Sequence, residues 1–414
     1  MFKKLRNTIT SKLFINDLKL GFITAILFSL FIYMEHYFIT IKLLNTFSGL
    51  LAIWLLLSIT KRAVLIAGLF IGLFWFYWIG YSFEYNGVGF MTPIITIFFA
   101  IIYMLFFGVL ALTNRVWLRA ILFFALSYFE PFDWNWMQVE LVFVESYLGI
   151  MKYQLIIILT ALTIPHYIHN RYKYTPLLLL FLASSALPTG VQEQKLSNLK
   201  IKLVQTHIKQ ELKWKREALN PTLRMTYEEI TKAIKEGYDI IVFPESVYPL
   251  HMNKSPRLIG ALQKASKKIT IVAGSLMNEG NKHYNVTYMF QDGKYEVAKK
   301  LVLVPFGEYV PLPKFAQKFI NDTFFGGVSD FVTAKKPTDF LIKGVKFRNA
   351  ICYEATCDEI YTGELNFVIA TSNNAWISPS IEPTLQNLLM RYYARKYGVT
   401  IYHSANYKGS GIIF

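Results

Sequence analysis

The sequence predicts a chain in two parts: a multi-pass α-helical membrane bundle over residues 1–190, then a layered α/β sandwich over residues 191–414. Three observations predict it. Apolar residues make up 54% of the 414 and charged residues only 17%, where a soluble domain carries about 25% charged. The charge is unevenly divided, with 13 Lys+Arg and 7 Asp+Glu in residues 1–190 against 30 and 20 in residues 191–414. Seven long apolar runs in the first part give way, from Leu199, to short β-branched and aromatic runs alternating with helical stretches.

The apolar runs lie at about 18–34, 43–60, 63–80, 90–113, 117–130, 154–169 and 174–189. A helix needs about 20 apolar residues to span the hydrocarbon, with about 17 as the lower limit. Ala63–Gly80 and Phe90–Thr113 meet this clearly, and Trp117–Glu130 is the shortest run. The first run follows a Lys-rich start, as a signal peptide would. No small-residue cleavage site follows it and six more runs do, so it is expected to remain as a helix.

Lys and Arg accumulate on the cytoplasmic side of membrane proteins. With the N-terminus inside, cytoplasmic segments hold Lys3, Lys4, Arg6, Lys12, Lys19, Lys61, Arg62, Arg115, Arg119, Arg171 and Lys173. The opposite loops hold only Lys42 and Lys152, with Glu35, Glu84, Glu130, Asp133, Glu140 and Glu145. Seven spans then deliver residue 190 to the outside, and the second part is expected to be extracytoplasmic. The outer polar residues Glu84, Asn86, Glu130, Asp133 and Asn135 either line a cleft through which lipid enters or are solvated loop residues.

The chain carries a formal net charge of +16. In a membrane-tethered domain this does not argue for nucleic acid. Anionic lipid headgroups, or a plain solvated surface, account for it. The two cysteines, Cys352 and Cys357, are too few for a zinc site, although a disulfide between them is conceivable in an oxidising compartment.

In the second part Lys200–Gln205 reads as a strand and Thr222–Glu236 as an amphipathic helix. Asp239–Phe243 is a buried strand ending at Pro244-Glu245. Ile269–Gly274, His283–Gln291 and Tyr295–Val304 read as further strands. Phe347–Tyr353 runs into Glu354, and Asn366–Thr371 ends at Ser372-Asn373-Asn374. Helix Thr384–Lys396 and strand Thr400–Ser404 follow. Such alternation argues for a layered α/β sandwich.

Three of these segments carry unusual chemistry where ligand sites of α/β sheets collect. Glu245 follows IIVFP, Lys300 lies on VAKKLVLVPFGE, and Cys352 closes FRNAI. Singly, a capping carboxylate, a snorkelling lysine and a small buried thiol would explain them. Together they suit acyl transfer. A thiolate is a competent nucleophile, a carboxylate can take and return its proton, and an ammonium can stabilise a tetrahedral oxyanion.

PES (244–246), KLVLVPFGEYVPLP (300–313), ICYE (351–354) and SNNAWI (372–377) resemble the nitrilase superfamily, and more narrowly the bacterial apolipoprotein N-acyltransferases. VQTHIKQELKW (204–214), Tyr284-Asn285, Ala405-Asn406 and GLFIGLFWFYWIG (68–80) fit as well, so the resemblance covers nearly the whole chain. It implies a nitrilase-type α-β-β-α sandwich. It also implies Cys352 as nucleophile, Glu245 as general base and Lys300 at the oxyanion. Glu308 and Glu354 would orient or polarise these groups. Tyr353, Asn285 and Trp376 would shape the pocket, with Trp214 a further substrate-pocket residue.

The family's reaction takes an acyl chain from a phospholipid as a Cys352 thioester and passes it to the α-amine of an S-diacylglyceryl cysteine at a lipoprotein N-terminus. The resemblance implies no metal or organic cofactor, a monomer, and a bacterial inner membrane location with the catalytic domain on the periplasmic side. A disulfide would consume the nucleophile, so Cys357 is expected to be structural. Phe315, Phe319, Phe324, Phe325 and Phe331, interrupted by Gly326-Gly327, form either a mobile lipid-facing loop or a core cluster.

The chain departs from the family at Asn374, commonly aspartate, and at Ile377-Ser378, commonly phenylalanine-glycine. A glutamate is usual near Lys396 and an arginine near Val399. Family members generally continue beyond SANYKGSGIIF with further strands and often a last transmembrane helix. Two other functions compete. A membrane-anchored amidase or hydrolase would share the triad but needs no multi-span anchor. A transporter would carry ionisable groups at mid-membrane depth, whereas here Lys and Glu sit at the ends of the runs.

Overall fold

The computed structural model describes residues 2–84, 89–305, 308–309 and 331–414, with side chains from residue 12 onward. Phe315, Phe319, Phe324, Phe325, Gly326, Gly327 and Asn86 lie outside the described residues. The chain divides into two compact units. One comprises Met1–Glu84, Gly89–Pro131 and Met137–Gly190; the other includes Phe132–Trp136 and Val191–Phe414.

Every apolar run of the first unit is helical. The elements are α1 (Phe2–His36), α2 (Lys42–Ser58), α3 (Lys61–Phe76), α4 (Thr92–Gly108), α5 (Val116–Leu126), α6 (Lys152–Thr163) and a 3-10 stretch Thr175–Ala183. Among the described residues, three continuous helical segments are long and apolar enough to cross a bilayer: Lys12–His36, Lys61–Phe83 and Gly89–Leu112. The remaining runs form shorter helices, because local breakers cut them. Pro165, inside the run expected at 154–169, lacks the N–H that α-helix would use, and α6 gives way to 3-10 geometry at Ile164–His166. After α5 the chain turns through Pro131, with Phe132 and Asp133 at φ 57° and 60°.

The bundle packs through small residues. A Cβ on Gly68 would lie 2.6 Å from the Tyr103 carbonyl oxygen, and one on Gly72 would lie 2.8 Å from Tyr103 Cβ, so this G-x-x-x-G face lets α3 and α4 approach. The Arg119 guanidinium donates to the carbonyls of Ile59 (2.6 Å), Leu57 (3.2 Å) and Thr113 (2.9 Å), satisfying carbonyls left free at helix ends. Large apolar side chains such as Ile97, Leu105 and Phe181 point outward from the unit, as lipid-facing residues must.

In the second unit the first sheet runs β1 (Ile201–Leu203), β2 (Ile240–Val242), β4 (Thr270–Glu279), β5 (Lys282–Gln291), β6 (Lys294–Lys299). A short β3 (Tyr248–His251) pairs with β4. The second sheet runs β11 (Gly411–Ile413), β10 (Thr400–Asn406), β9 (Phe367–Asn373), β8 (Val345–Ile351), β7 (Asp339–Ile342). Strands β1, β2 and β4 are parallel, as are β8, β9 and β10. Antiparallel neighbours flank each set.

Side-chain alternation separates two cores. Ile240, Val242, Val272 and Met289 meet Phe340, Phe347, Ile369 and Tyr402 between the sheets. The alternate residues Ile241, Phe243, Ile271 and Tyr288 meet Ile230 and Ala233 of α8 (Arg216–Lys235) and Leu262 of α9 (Pro256–Ala265). A four-residue α7 (Gln210–Lys213) precedes α8, and α10 (Glu382–Tyr397) packs on the second sheet. The layers are therefore α-β-β-α, as expected. Strands β3, β7 and β11 and helix α7, all short, were not anticipated, and neither was helix α9.

Candidate active site

The carboxyl ends of the parallel strands supply the site. Glu245 follows β2, Cys352 follows β8, and Asn373 and Asn406 close β9 and β10. Lys300 stands one residue past β6, whose end at Lys299 comes earlier than the strand expected to Val304. Its amide still donates to the Asn285 carbonyl (2.9 Å), which fixes it against β5.

Glu245 has both carboxylate oxygens held. Oε1 accepts from Asn285 Nδ2 (2.7 Å) and Oε2 from the Asn373 amide (2.9 Å). Asn373 is held in turn, since its Oδ1 accepts from Asn406 Nδ2 (2.8 Å) and its Nδ2 donates to Gln210 (3.1 Å). Lys300, 1% exposed, places Nζ 2.7 Å from Glu308 Oε2 and 3.8 Å from Glu245 Oε1. Burial disfavours that ammonium, but the carboxylates of Glu308 and Glu245 outweigh it and hold Lys300 above its ordinary pKa. Glu308 is itself fixed, accepting from the Val304 amide (2.9 Å).

Glu354 ties two of these segments together. Its Oε2 accepts from the Ile351 amide (2.6 Å), beside Cys352, while Oε1 accepts from the amides of Val302 (3.0 Å) and Leu301, beside Lys300. Burial pushes its carboxyl up to about 7, against the opposing pull of Lys300 and these amides. Glu354 thus positions Lys300 and Cys352 through backbone bonds.

Cys352 is buried with φ at 57°, a left-handed conformation that a non-glycine residue adopts at a cost of about 1–3 kcal/mol. Burial first, and then Glu245, push its thiol well above the usual range, while Lys300 pulls it down. The resting group is therefore the thiol. Its proton must leave as attack begins, for which a fixed carboxylate is the matching base. Cys357 is also buried and makes no disulfide with Cys352; its Sγ lies 3.3 Å from the Tyr353 carbonyl oxygen.

Tyr353 stacks on Trp134 (centroids 5.5 Å, 21°) and Trp136 (6.1 Å, 22°), and its hydroxyl donates to the Asp133 carbonyl (3.2 Å). Asn135 donates from Nδ2 to the Thr356 carbonyl. Asp133 and Asn135, expected among outer-loop residues, therefore belong to the packing around the strand end that carries Cys352. Trp376 is half-buried on the turn Asn374–Ile377. Trp214 is 51% exposed, and it is the neighbouring Lys213, 1% exposed, that reaches inward. Lys213 Nζ donates to the Glu245 carbonyl (3.0 Å), and burial lowers its ammonium to about 8.

Gln386, whose Nε2 lies 3.8 Å from Cys352 Sγ, carried no signal in the sequence, and Lys213 lay within a quoted run, VQTHIKQELKW, that drew notice for its tryptophan.

Gly274 on β4 makes the Glu245 placement possible. A Cβ there would lie 2.4 Å from the Ser246 nitrogen and 2.6 Å from Glu245 Cα, both backbone atoms that cannot swing aside. Gly274→Ala is expected to cost about 1–3 kcal/mol of stability by overpacking, read as a lower Tm in detergent, and to move the carboxylate out of line.

The arrangement combines a buried thiol, a fixed carboxylate and a paired ammonium on one set of strand ends, which is the equipment of covalent acyl transfer. Two family patterns match the chain. The apolipoprotein N-acyltransferase integral membrane domain matches residues 15–186, and carbon-nitrogen hydrolase matches residues 200–401. Among curated relatives, the apolipoprotein N-acyltransferase of Wolinella succinogenes is 41% identical over 94% of this chain and 94% of its own. That of Helicobacter hepaticus is 36% identical over 90% of this chain and 94% of its own. That of Campylobacter jejuni is 34% identical over 98% of this chain and 91% of its own. With both halves matched and relatives similar along almost their full length, this multi-pass membrane chain belongs to the apolipoprotein N-acyltransferase family.

Proposed function

We propose that the protein transfers an acyl chain from a membrane phospholipid to the α-amine of the S-diacylglyceryl cysteine that begins an apolipoprotein. The observation that carries this reading is the convergence of Glu245, Lys300 and Cys352 at strand ends, in a chain whose other half matches the family's membrane domain. Glu245 takes the Cys352 proton as Sγ attacks the ester carbonyl. The carbonyl π pair moves to oxygen, where Lys300 stabilises the charge. Collapse breaks the acyl–oxygen bond, and Glu245 returns its proton to the leaving lysophospholipid alkoxide. The acceptor amine then attacks the thioester, Glu245 takes the amine's proton, and the thiolate leaves and is reprotonated as the amide forms.

Glu308 and Glu354 position these groups, and Asn285 holds Glu245. Tyr353, Trp376 and Trp214 shape the path of the substrates. We place the protein in the bacterial inner membrane as a monomer, with about seven spans over 1–190 and a periplasmic catalytic domain over 191–414. The excess of Lys and Arg in the presumptive cytoplasmic segments supports that orientation.

Detergent-solubilised protein incubated with acyl-labelled phospholipid is expected to gain one acyl mass on the peptide bearing Cys352. A peptide starting with S-diacylglyceryl cysteine is expected to remove it and become acylated. Discharge to water alone would instead make the protein a membrane-anchored hydrolase.

A further inference from the structure

A buried carboxyl that the triad does not use lies one helical turn from a side chain that reaches Cys352. Glu382 opens α10 and is 2% exposed. Gln386, four residues on and so on the same helix face, reaches to 3.8 Å from Cys352 Sγ. The Glu382 amide is fixed by Ser380 Oγ (3.1 Å), which anchors the start of the helix. Its Oε2, wholly buried, has no hydrogen-bond donor among the described residues. Unlike Glu308, Glu382 has no lysine or arginine paired with it among the described residues; the charge acting on it is that of Glu245.

A first-turn carboxylate gains a little from the helix dipole. That gain does not offset burying a carboxyl oxygen with no donor, because the loss of water is uncompensated. Such a group is expected where a ligand supplies the donor. From this geometry we infer that Glu382 is the binding site for a primary ammonium, that of the incoming acceptor, holding it beside the Cys352 thioester. The inference rests on the acyl-transfer reading above and adds the recognition of the acceptor's charged end.

Burial first, and then Glu245, push the Glu382 carboxyl well above the ordinary carboxylate range. An arriving amine restores the balance in one proton transfer, with the carboxyl proton moving to nitrogen to leave a carboxylate–ammonium pair. The nitrogen must then shed a proton to attack the thioester carbon. That proton goes to Glu245, the base of the acyl-transfer reading above. Glu382 is thus a specificity residue for the second half of the cycle, in which no part of the acyl donor's glycerol remains.

The test separates the two halves in the full-length protein. Cys352 is loaded from labelled phosphatidylglycerol, whose headgroup carries no ammonium, and from labelled phosphatidylethanolamine. The thioester is then discharged by an S-diacylglyceryl-cysteine peptide or by dithiothreitol, a neutral nucleophile. Glu382→Leu is expected to load from either donor within about twofold of the unsubstituted protein. It is expected to raise the peptide's KM by about tenfold or more, as loss of a buried charge-assisted hydrogen bond does, and to leave discharge by dithiothreitol unchanged. Glu382→Gln, closer in shape, covers the case in which the leucine variant does not fold; it is expected to shift the peptide-to-dithiothreitol rate ratio the same way by a smaller factor.

An unchanged ratio in a variant that loads normally overturns the inference. Slower loading from phosphatidylethanolamine alone, with normal transfer, also overturns it, by assigning the carboxyl to the donor headgroup. Failure of the unsubstituted protein to acylate the peptide overturns the acyl-transfer reading itself, and is seen without any variant.

Discussion

Cys352→Ala is expected to abolish the acyl adduct and to lower turnover by at least about 10³-fold, since removal of a covalent nucleophile leaves only binding and the oxyanion site. The loss should be chemical. Alanine removes one sulfur atom from a buried position at a cost of about 1 kcal/mol, and it inherits the φ of 57° without extra branching at Cβ. Thermal unfolding should therefore change by only a few degrees. The surrounding bonds do not depend on the thiol, because Glu354 holds the Ile351 amide and Asn285 and Asn373 hold Glu245. Cys357→Ala serves as the internal control. Its sulfur packs against the Tyr353 carbonyl and Asn135, and its loss should leave adduct formation intact. Retention of the adduct in Cys352→Ala would mean that another residue is the nucleophile.

Lys300→Met is expected to fail in both stability and rate. In the intact site Lys300 Nζ is shared by Glu308 at 2.7 Å and Glu245 at 3.8 Å, with the lysine 1% exposed. Removing the cation strands two carboxylates inside the protein, and breaking such a buried pair costs about 3–5 kcal/mol. Loss of an oxyanion donor should lower adduct formation by about 10²–10³-fold in whatever fraction remains folded. The sign of the pH effect follows from the shift. Folding raises the Lys300 pKa, with burial opposing and Glu308 and Glu245 prevailing. Its stabilisation is then fully present below the ordinary lysine value of about 10.4 and is lost only as pH rises through the higher folded value.

The variant reverses this pattern near neutrality. Stranded carboxylates must take up protons, so Lys300→Met should gain Tm as pH falls from 8 toward 5, over a range where the intact ion pair keeps the unsubstituted protein insensitive to this group. Lys300→Arg should restore part of the stability but not the rate, because a planar fork cannot replace a point charge at the same distance from both carboxylates. A flat Tm profile for Lys300→Met would show that Glu245 and Glu308 are not held against a buried cation.

The proposed triad could be named from the sequence because its residues sit at strand ends. A carboxylate after IIVFP and a cysteine after FRNAI stand where a run of apolar residues stops, and that pattern survives without any knowledge of the fold. Glu308 and Glu354 were legible through the motifs around Lys300 and Cys352. Lys213, Gln386 and Glu382 were not. They lie on short or amphipathic helices whose polar residues look solvated until the helices pack, and nothing local marks a lysine or glutamate that will be buried. Asp133 and Asn135 were read only as cleft-lining or solvated loop residues, yet the segment that holds them stacks on and bonds to residues more than 200 positions later in the chain.

The sequence by itself determined the division into an apolar helical half and an α/β half, the order of most strands, and which thiol, carboxylate and ammonium are proposed to react. These depend on composition, period and the residue that ends each run, all of which act within a few positions. Tertiary structure alone decided where helices stop, that Lys300 lies past its strand rather than within it, and which groups hold the triad. It also decided which carboxyls are paired and which, like Glu382, are buried without a donor. Those outcomes depend on desolvation and on contacts between segments far apart in the chain, and burial that removes water from a charge is a property of the packed layers, not of any short stretch of residues.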